Sequence, residues 1–268
     1  DSSRFFPPIR GQCHRRDPLM AECIHGFEGT LCDQCFPKEK PEPPKRPTTR
    51  SSTRPTYRAA GAARPSHPAA LVTGDVRIYH ITHVRNLASI IAAGELRASA
   101  EPAVDISSDL ARELRATAET APGRPVSGFV PFALAPDSTP WDELRRGAAE
   151  PRWSAAARAA SPTDFVFLVS TIRSLGDDAV IADGDAAGTY TRFATTEAER
   201  ERMLVRLHND PDARLSSEAL APDAFDFGAV QLIGVANEPV RDEVRSLLVD
   251  SGFAPKVAVY PPWFVLET

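Results

Sequence analysis

Ile78-Tyr79-His80-Ile81-Thr82-His83-Val84-Arg85-Asn86-Leu87 runs from a β-branched, aromatic strand straight into an amphipathic helix. The apolar alternation predicts a half-buried strand over residues 76–81. Leu87, Ile90 and Ile91 share one face of a helix over residues 86–93, and Gly94 supplies its stop. A His and a Thr two apart on the first strand of a domain can hold a ribose and an amide. Far downstream, Glu218 stands alone before another apolar run. The two features together point to a fold that grips a dinucleotide and acts on a glycosidic bond.

Outward from that stretch, short strands and short helices mix. Residues 107–120 predict a helix capped by Ser108 or Asp109, with Leu110 and Leu114 four apart. Strands are expected at 128–135, ended by Pro136, at 165–170 as a run of buried type, and at 180–181 before the Asp183-Gly184 turn. A helical turn at 141–146, helices at 197–207 and 239–251, and strands at 217–220, 230–235 and 256–260 complete the reading. No regular βαβ repeat emerges, so the expected class is α+β rather than a doubly wound sheet.

The chain has 268 residues, 42% hydrophobic and 25% charged, as a globular protein would. It holds no apolar run of the roughly 18 residues a membrane span needs, so no membrane partner is expected. The first residues lack the apolar stretch of a signal peptide, which makes the expected location cytoplasmic. The net charge of −5 conceals an asymmetry: residues 1–70 carry 12 Lys and Arg against 7 Asp and Glu, while residues 71–268 carry 19 against 29. A basic arm on an acidic body suits either a polyanion-holding arm or a solvated tether.

All four cysteines fall in the arm as Cys13, Cys23, Cys32 and Cys35. Cys32-Asp33-Gln34-Cys35 is a knuckle whose two thiolates can share one tetrahedral ion, and the glycines after Cys23 permit tight turns. Four ligands would make a closed, structural Zn2+ site, with His14 and His25 as substitutes for one thiolate. Disulfides are disfavoured without an export signal. Residues 41–70, with seven prolines and no apolar period, read as a linker. The expected organisation is a zinc-binding module at 1–40, a Pro/Arg-rich linker at 41–70 and a catalytic body at 71–268.

The body resembles the DarT group of NAD-dependent ADP-ribosyltransferases, which modify bases in DNA. The resemblance rests on Tyr79-His80-Ile81-Thr82-His83 with Asn86-Leu87 and Ile90, and on Phe129-Val130-Pro131-Phe132, where that group often has Tyr-Val-Pro-Phe. It continues through Asp183-Gly184-Asp185-Ala186, Glu218-Ala219-Leu220-Ala221-Pro222 and Ile233-Gly234-Val235. It implies an ADP-ribosyltransferase-like split β-sheet core with surrounding helices, and NAD as substrate.

The resemblance also implies roles. His80 would bond the nicotinamide-side or the adenosine-side ribose. The backbone at Ile81 or Thr82 would hold the carboxamide. Glu218 would accept from the ribose 2′-hydroxyl and stabilise the charge that develops as the glycosidic bond breaks. An arginine of the 107–120 helix, Arg115 by preference with Arg112 left open, would bind the pyrophosphate and orient the incoming base. The expected acceptor is a nucleobase in single-stranded DNA, because a stacked base is out of reach. The expected setting is a toxin or defence enzyme, with a macrodomain antitoxin as partner.

Two departures fall on the acceptor side. Pro136-Asp137-Ser138-Thr139-Pro140 lacks the arginine the group commonly carries there. Asp185 stands where the group often has His or Asn. Alternatives are transfer to RNA or protein, and a zinc-module nucleic-acid-binding protein with a catalytically weak body. Ser216, two positions before Glu218, is neither acidic nor Gln, which favours a nucleic-acid acceptor over a protein one.

Overall fold

The computed structural model describes residues 71–120 and 123–265, so the four cysteines and the linker lie outside the described residues. In chain order the strands are β1 (Arg77–His83), β2 (Glu95–Arg97), β3 (Glu119–Thr120), β4 (Arg124–Pro125), β5 (Phe129–Ala133), β6 (Phe165–Thr171), β7 (Val180–Ala182), β8 (Phe193–Ala194), β9 (Glu218–Pro222), β10 (Ala224–Asp226), β11 (Leu232–Val235) and β12 (Lys256–Val259). The helices are α1 (Leu87–Ala93), α2 (Asp109–Thr117), α3 (Thr139–Arg145), α4 (Ala155–Ala159), α5 (Glu197–His208), α6 (Pro211–Ser216) and α7 (Glu238–Leu248). The fold is α+β, as the mixed pattern implies.

Eight strands form one sheet in the order β12-β11-β6-β1-β5-β9-β7-β8. β6 lies inside it and reads as a continuous apolar run because both faces are covered. Ile78, Val166, Leu168 and Ile233 pack on one face with α1 and α7. Tyr79, Phe165, Phe167 and Val169 pack on the other with Trp141. A single register row crosses all eight strands: Lys256, Leu232, Val169, Tyr79, Ala133, Glu218, Ala182 and Phe193. Cross-strand partners project to the same face, so this row fixes which residues can share a site with Glu218.

The sheet splits at its centre. β1 pairs with β6 along all seven of its residues, but with β5 only at Tyr79↔Ala133. The reason is Pro131. Its carbonyl faces β1, where it accepts from the His80 ring; its nitrogen faces the same way and carries no hydrogen. The next rung therefore lacks a donor, and the two strands part. From His80 to His83 the backbone edge of β1 toward β5 has no ladder partner.

Several sequence-predicted boundaries shift. The helix expected to reach Thr120 ends at Thr117, because Ala118 turns extended and Glu119–Thr120 pair with β4 instead. Leu110 and Leu114 do not face a core; each is nearly half exposed. β2, β8, β10, α4 and α6 are too short to leave a periodic signal. Gly94 does end α1, at a positive φ of 73°.

Candidate active site

Glu218 opens β9, in register with Ala133 on one side and Ala182 on the other. Its side chain keeps 12% of its exposure, enough for a ligand to reach it. Oε2 accepts from Arg115 Nη1 at 3.0 Å, and Oε1 accepts from the same nitrogen at 3.4 Å and from the Ala186 backbone N–H at 3.1 Å. The carboxylate is thus held from two sides, by a guanidinium on α2 and by a backbone donor in the β7–β8 turn. Arg115 Nη2 is buried and has no partner among the described residues. A buried, unsatisfied cationic donor is costly unless something else accepts from it.

Arg115 is placed by a chain of side-chain bonds that starts on β1. Asn86 Nδ2 donates to Thr82 Oγ1 at 3.1 Å and to the Val104 carbonyl at 3.0 Å, and Asn86 Oδ1 accepts from Val104 N–H at 2.8 Å. This pins the segment before α2 to the end of β1. Ser108 then caps α2 by accepting from Ala111 N–H. Arg112 closes the corner: it donates to Asp105, to Asp109 and to the Ser107 carbonyl. Both terminal nitrogens are committed to the start of the helix, and between the two arginines the structure brings only Arg115 to Glu218.

The β1 residues divide between faces. Ile81 is two positions from Tyr79 and so shares the face of Glu218. His80 and Thr82 alternate to the other. Thr82 is buried, and its hydroxyl accepts from Asn86, which gives its side chain a structural role. His80 leans into the split, with Nδ1 at 2.9 Å from the Pro131 carbonyl. Since a carbonyl only accepts, Nδ1 carries the hydrogen. Burial pushes the His80 pKa below 6.5, against a smaller upward pull from Pro131. The neutral ring then offers Nε2 as an acceptor, and Nε2 has no partner among the described residues. No direct contact joins His80 to Glu218. His83 ends β1, and its ring accepts from Arg85 N–H to start the turn into α1.

Beside the Glu218 clamp lies an open cleft of about 560 Å³, lined by Leu114, Thr117 and Ala118 from the end of α2 and by Ala186, Ala187 and Gly188 from the β7–β8 turn. Sequence reasoning singled out this turn by its Asp-Gly pair but missed the Ala186 N–H, since a backbone donor leaves no trace in side-chain identity. It also missed Arg152, which reaches Asp185 at 3.0 Å. Among the described residues no cluster of His, Cys, Asp and Glu is arranged to hold a metal, and no helix is long and apolar enough to cross a membrane.

Comparisons with known proteins agree with this architecture. The family model described as DarT, ssDNA thymidine ADP-ribosyltransferase, matches residues 79–265. No curated protein matches the chain. Among solved structures, Thermus sp. 2.9 DarT in complex with ADP-ribosylated ssDNA is similar at 24% identity and a TM-score of 0.60, over 71% of this chain and 96% of that one. The same protein in complex with NAD+ aligns at 23% identity and a TM-score of 0.58, over 71% and 98%. Thermosipho africanus DarTG in complex with ADP-ribose aligns at 18% identity and a TM-score of 0.53, over 70% of this chain and 50% of that one. At these identities the likeness speaks for the fold.

Proposed function

The chain belongs to the DarT family of ssDNA thymidine ADP-ribosyltransferases, and on that premise we propose how its own residues carry the reaction. The activity is NAD-dependent transfer of ADP-ribose to a nucleobase of single-stranded DNA. The bond between nicotinamide and the ribose anomeric carbon breaks, nicotinamide leaves neutral, and a base nitrogen bonds to that carbon and gives up its proton.

Glu218 supplies the negative charge that this transition state requires. One carboxylate oxygen accepts from the ribose 2′-hydroxyl while the group stabilises the positive charge on the sugar. Arg115 holds the carboxylate through Nη1 and turns the unpartnered Nη2 toward the pyrophosphate or the incoming base. His80 accepts from a ribose hydroxyl through Nε2. The unpaired edge of β1 at Ile81 holds the carboxamide, while the Thr82 backbone pairs with β6, so that the dinucleotide runs along the split. Thymine is the acceptor we expect from the family. Ser216, hydrogen-bonded to Thr139 and lacking a charged or amide group, suits a base better than a protein side chain.

The observation that carries this reading is the doubly held Glu218 carboxylate beside a buried, unpartnered arginine nitrogen. The test is incubation of the full chain with labelled NAD and, separately, single-stranded DNA, duplex DNA, RNA and a protein lysate, with Glu218→Ala as control. Label on single-stranded DNA that Glu218→Ala abolishes is the expected result. Label on none of them, or label indifferent to the substitution, overturns it.

The basic arm adds phosphate contacts of low sequence preference. Cys13, Cys23, Cys32 and Cys35 hold one structural Zn2+, and metal analysis of the purified full chain should return about one zinc per chain. Since this activity would poison its host, we also propose a macrodomain antitoxin that removes the mark.

A further inference from the structure

The two arms that hold Glu218 meet again at a residue some distance from the carboxylate. Arg152 lies in the connection between α3 and α4. Its backbone carbonyl accepts from Ser108 N–H at 2.9 Å, and Ser108 is the cap of the helix that carries Arg115. The neighbouring pair Ser107↔Trp153 forms a β-bridge, and Ser154 bonds the Ile106 and Asp105 carbonyls, so this contact belongs to a continuous seam.

The side chain of Arg152 goes the other way. Nη1 reaches Asp185 Oδ2 at 3.0 Å, and Nε lies 3.3 Å from Glu143 Oε2 on α3. Asp185 shapes the turn that presents Ala186 N–H to Glu218. Its Oδ1 accepts from Ala187 N–H at 2.9 Å, and its carbonyl accepts from Gly188 N–H and from the Thr191 hydroxyl. The base of the same turn is anchored separately, by Asp183 to Arg192 and Arg206. Apart from the Ala186 N–H bond to Glu218 itself, the long-range tie of the tip among the described side chains is Arg152.

From this we infer that Arg152 and Asp185 form a positioning latch that sets the two arms on Glu218 in register, with α2 fixed by the Arg152 backbone and the Ala186 turn fixed by its guanidinium. The inference rests on the reading of Glu218 as the charge-bearing carboxylate. It also accounts physically for the Asp185 departure, since a carboxylate at this position pairs with Arg152, which a neutral His or Asn would not do. Both partners are partly solvated, so the pair adds little to global stability. Its effect lies in placement, where a displacement of order 1 Å at a reacting centre can cost about a hundredfold.

The test is a double-mutant cycle on the full chain with Arg152→Ala, Asp185→Asn and both together. Transfer of label from NAD to a single-stranded oligonucleotide is read as kcat and KM for NAD, beside the melting temperature of each variant. Asp185→Asn preserves the bond to Ala187 N–H, so it keeps the turn while losing the ion pair. Each single variant should lower kcat by about tenfold with KM for NAD within about twofold, and the double variant should be no worse than either. Arg152→Lys should recover part of the loss.

Additive losses, or kcat unchanged in Asp185→Asn, overturn the latch. So does a fall confined to KM. If Arg152→Ala does not fold, Asp185→Asn and Arg152→Lys decide by the same kcat criterion. Failure of the underlying reading looks different: the wild-type chain transfers nothing, or Glu218→Ala remains active. A wild type that is active and sensitive at Glu218, beside a fully active Asp185→Asn, sinks the latch alone.

Discussion

Replacing Glu218 by Gln separates charge from shape at the centre of the site. Gln can still accept from Ala186 N–H and from Arg115 Nη1 through one oxygen, so the hydrogen-bond frame around the position survives. What disappears is one negative charge. A carboxylate about 4 Å from a developing unit positive charge, at an effective dielectric near 20, contributes about 4 kcal/mol. Some of that is screened through the residual 12% exposure of the side chain. Removing a single transition-state contact of this electrostatic kind costs roughly 100- to 1000-fold in kcat, and that is the expected loss.

Two companion measurements make the test specific to Glu218's charge. NAD affinity by calorimetry should change by less than about threefold, because the group acts in the transition state rather than the ground state. Stability should fall only by about 1 kcal/mol, the difference between a charged and a neutral hydrogen bond to Arg115, or about 2–4 °C in Tm. Single-turnover transfer to a single-stranded oligonucleotide reads the rate. A folded Glu218→Gln protein that keeps more than a tenth of wild-type kcat would refute the argument that this carboxylate's charge drives bond cleavage.

Three further expectations follow from the sheet. Pro131→Ala restores the donor missing from the β5 edge, so the β1–β5 ladder can extend by a rung; transfer activity should fall, and closing of the split should show as added amide protection at Ile81 and position 131 in hydrogen exchange. Gly234→Ala drives a methyl to 2.6 Å from the Trp263 ring with Phe167 behind it, so the indole must move; denaturant unfolding should show a loss of about 1–3 kcal/mol. His80 has a folded-state pKa below its ordinary 6.5, so its contribution to stability is complete above that value and is lost as the pH falls from 6.5 toward the lowered pKa. Urea midpoints at pH 7.5 and 5 should diverge less in His80→Asn than in wild type, while His83, shifted the same way by burial, contributes equally to both.

What the sequence made legible was what repeats at the period of a strand or a helix. Tyr79 to His83 and Phe165 to Ser170 show their alternation or their continuous apolar run, and Gly94 marks a helix end, so the central strands and α1 could be read directly. Leu110 and Leu114 show where such a reading stops. A spacing of four says that two residues share a face, but not that anything covers that face. The two- and three-residue strands carry too few positions for a period, and they exist because long-range partners supply their bonds.

The site divides along the same line. Glu218 and Arg115 could be named because charged side chains on short elements are visible in a sequence. Which of Arg112 and Arg115 meets the carboxylate could not, because the answer lies with Asp105 and Asp109, which pair with Arg112 at the start of the helix. Likewise Pro131 reads in sequence as an oddity inside a strand. In the folded sheet its missing hydrogen ends the pairing with β1, and its carbonyl turns His80 into a one-sided acceptor. The split therefore traces to a single absent backbone donor. Sequence supplies the residue, but only the register, with Tyr79 opposite Ala133 and nothing paired beyond, shows what its absence does.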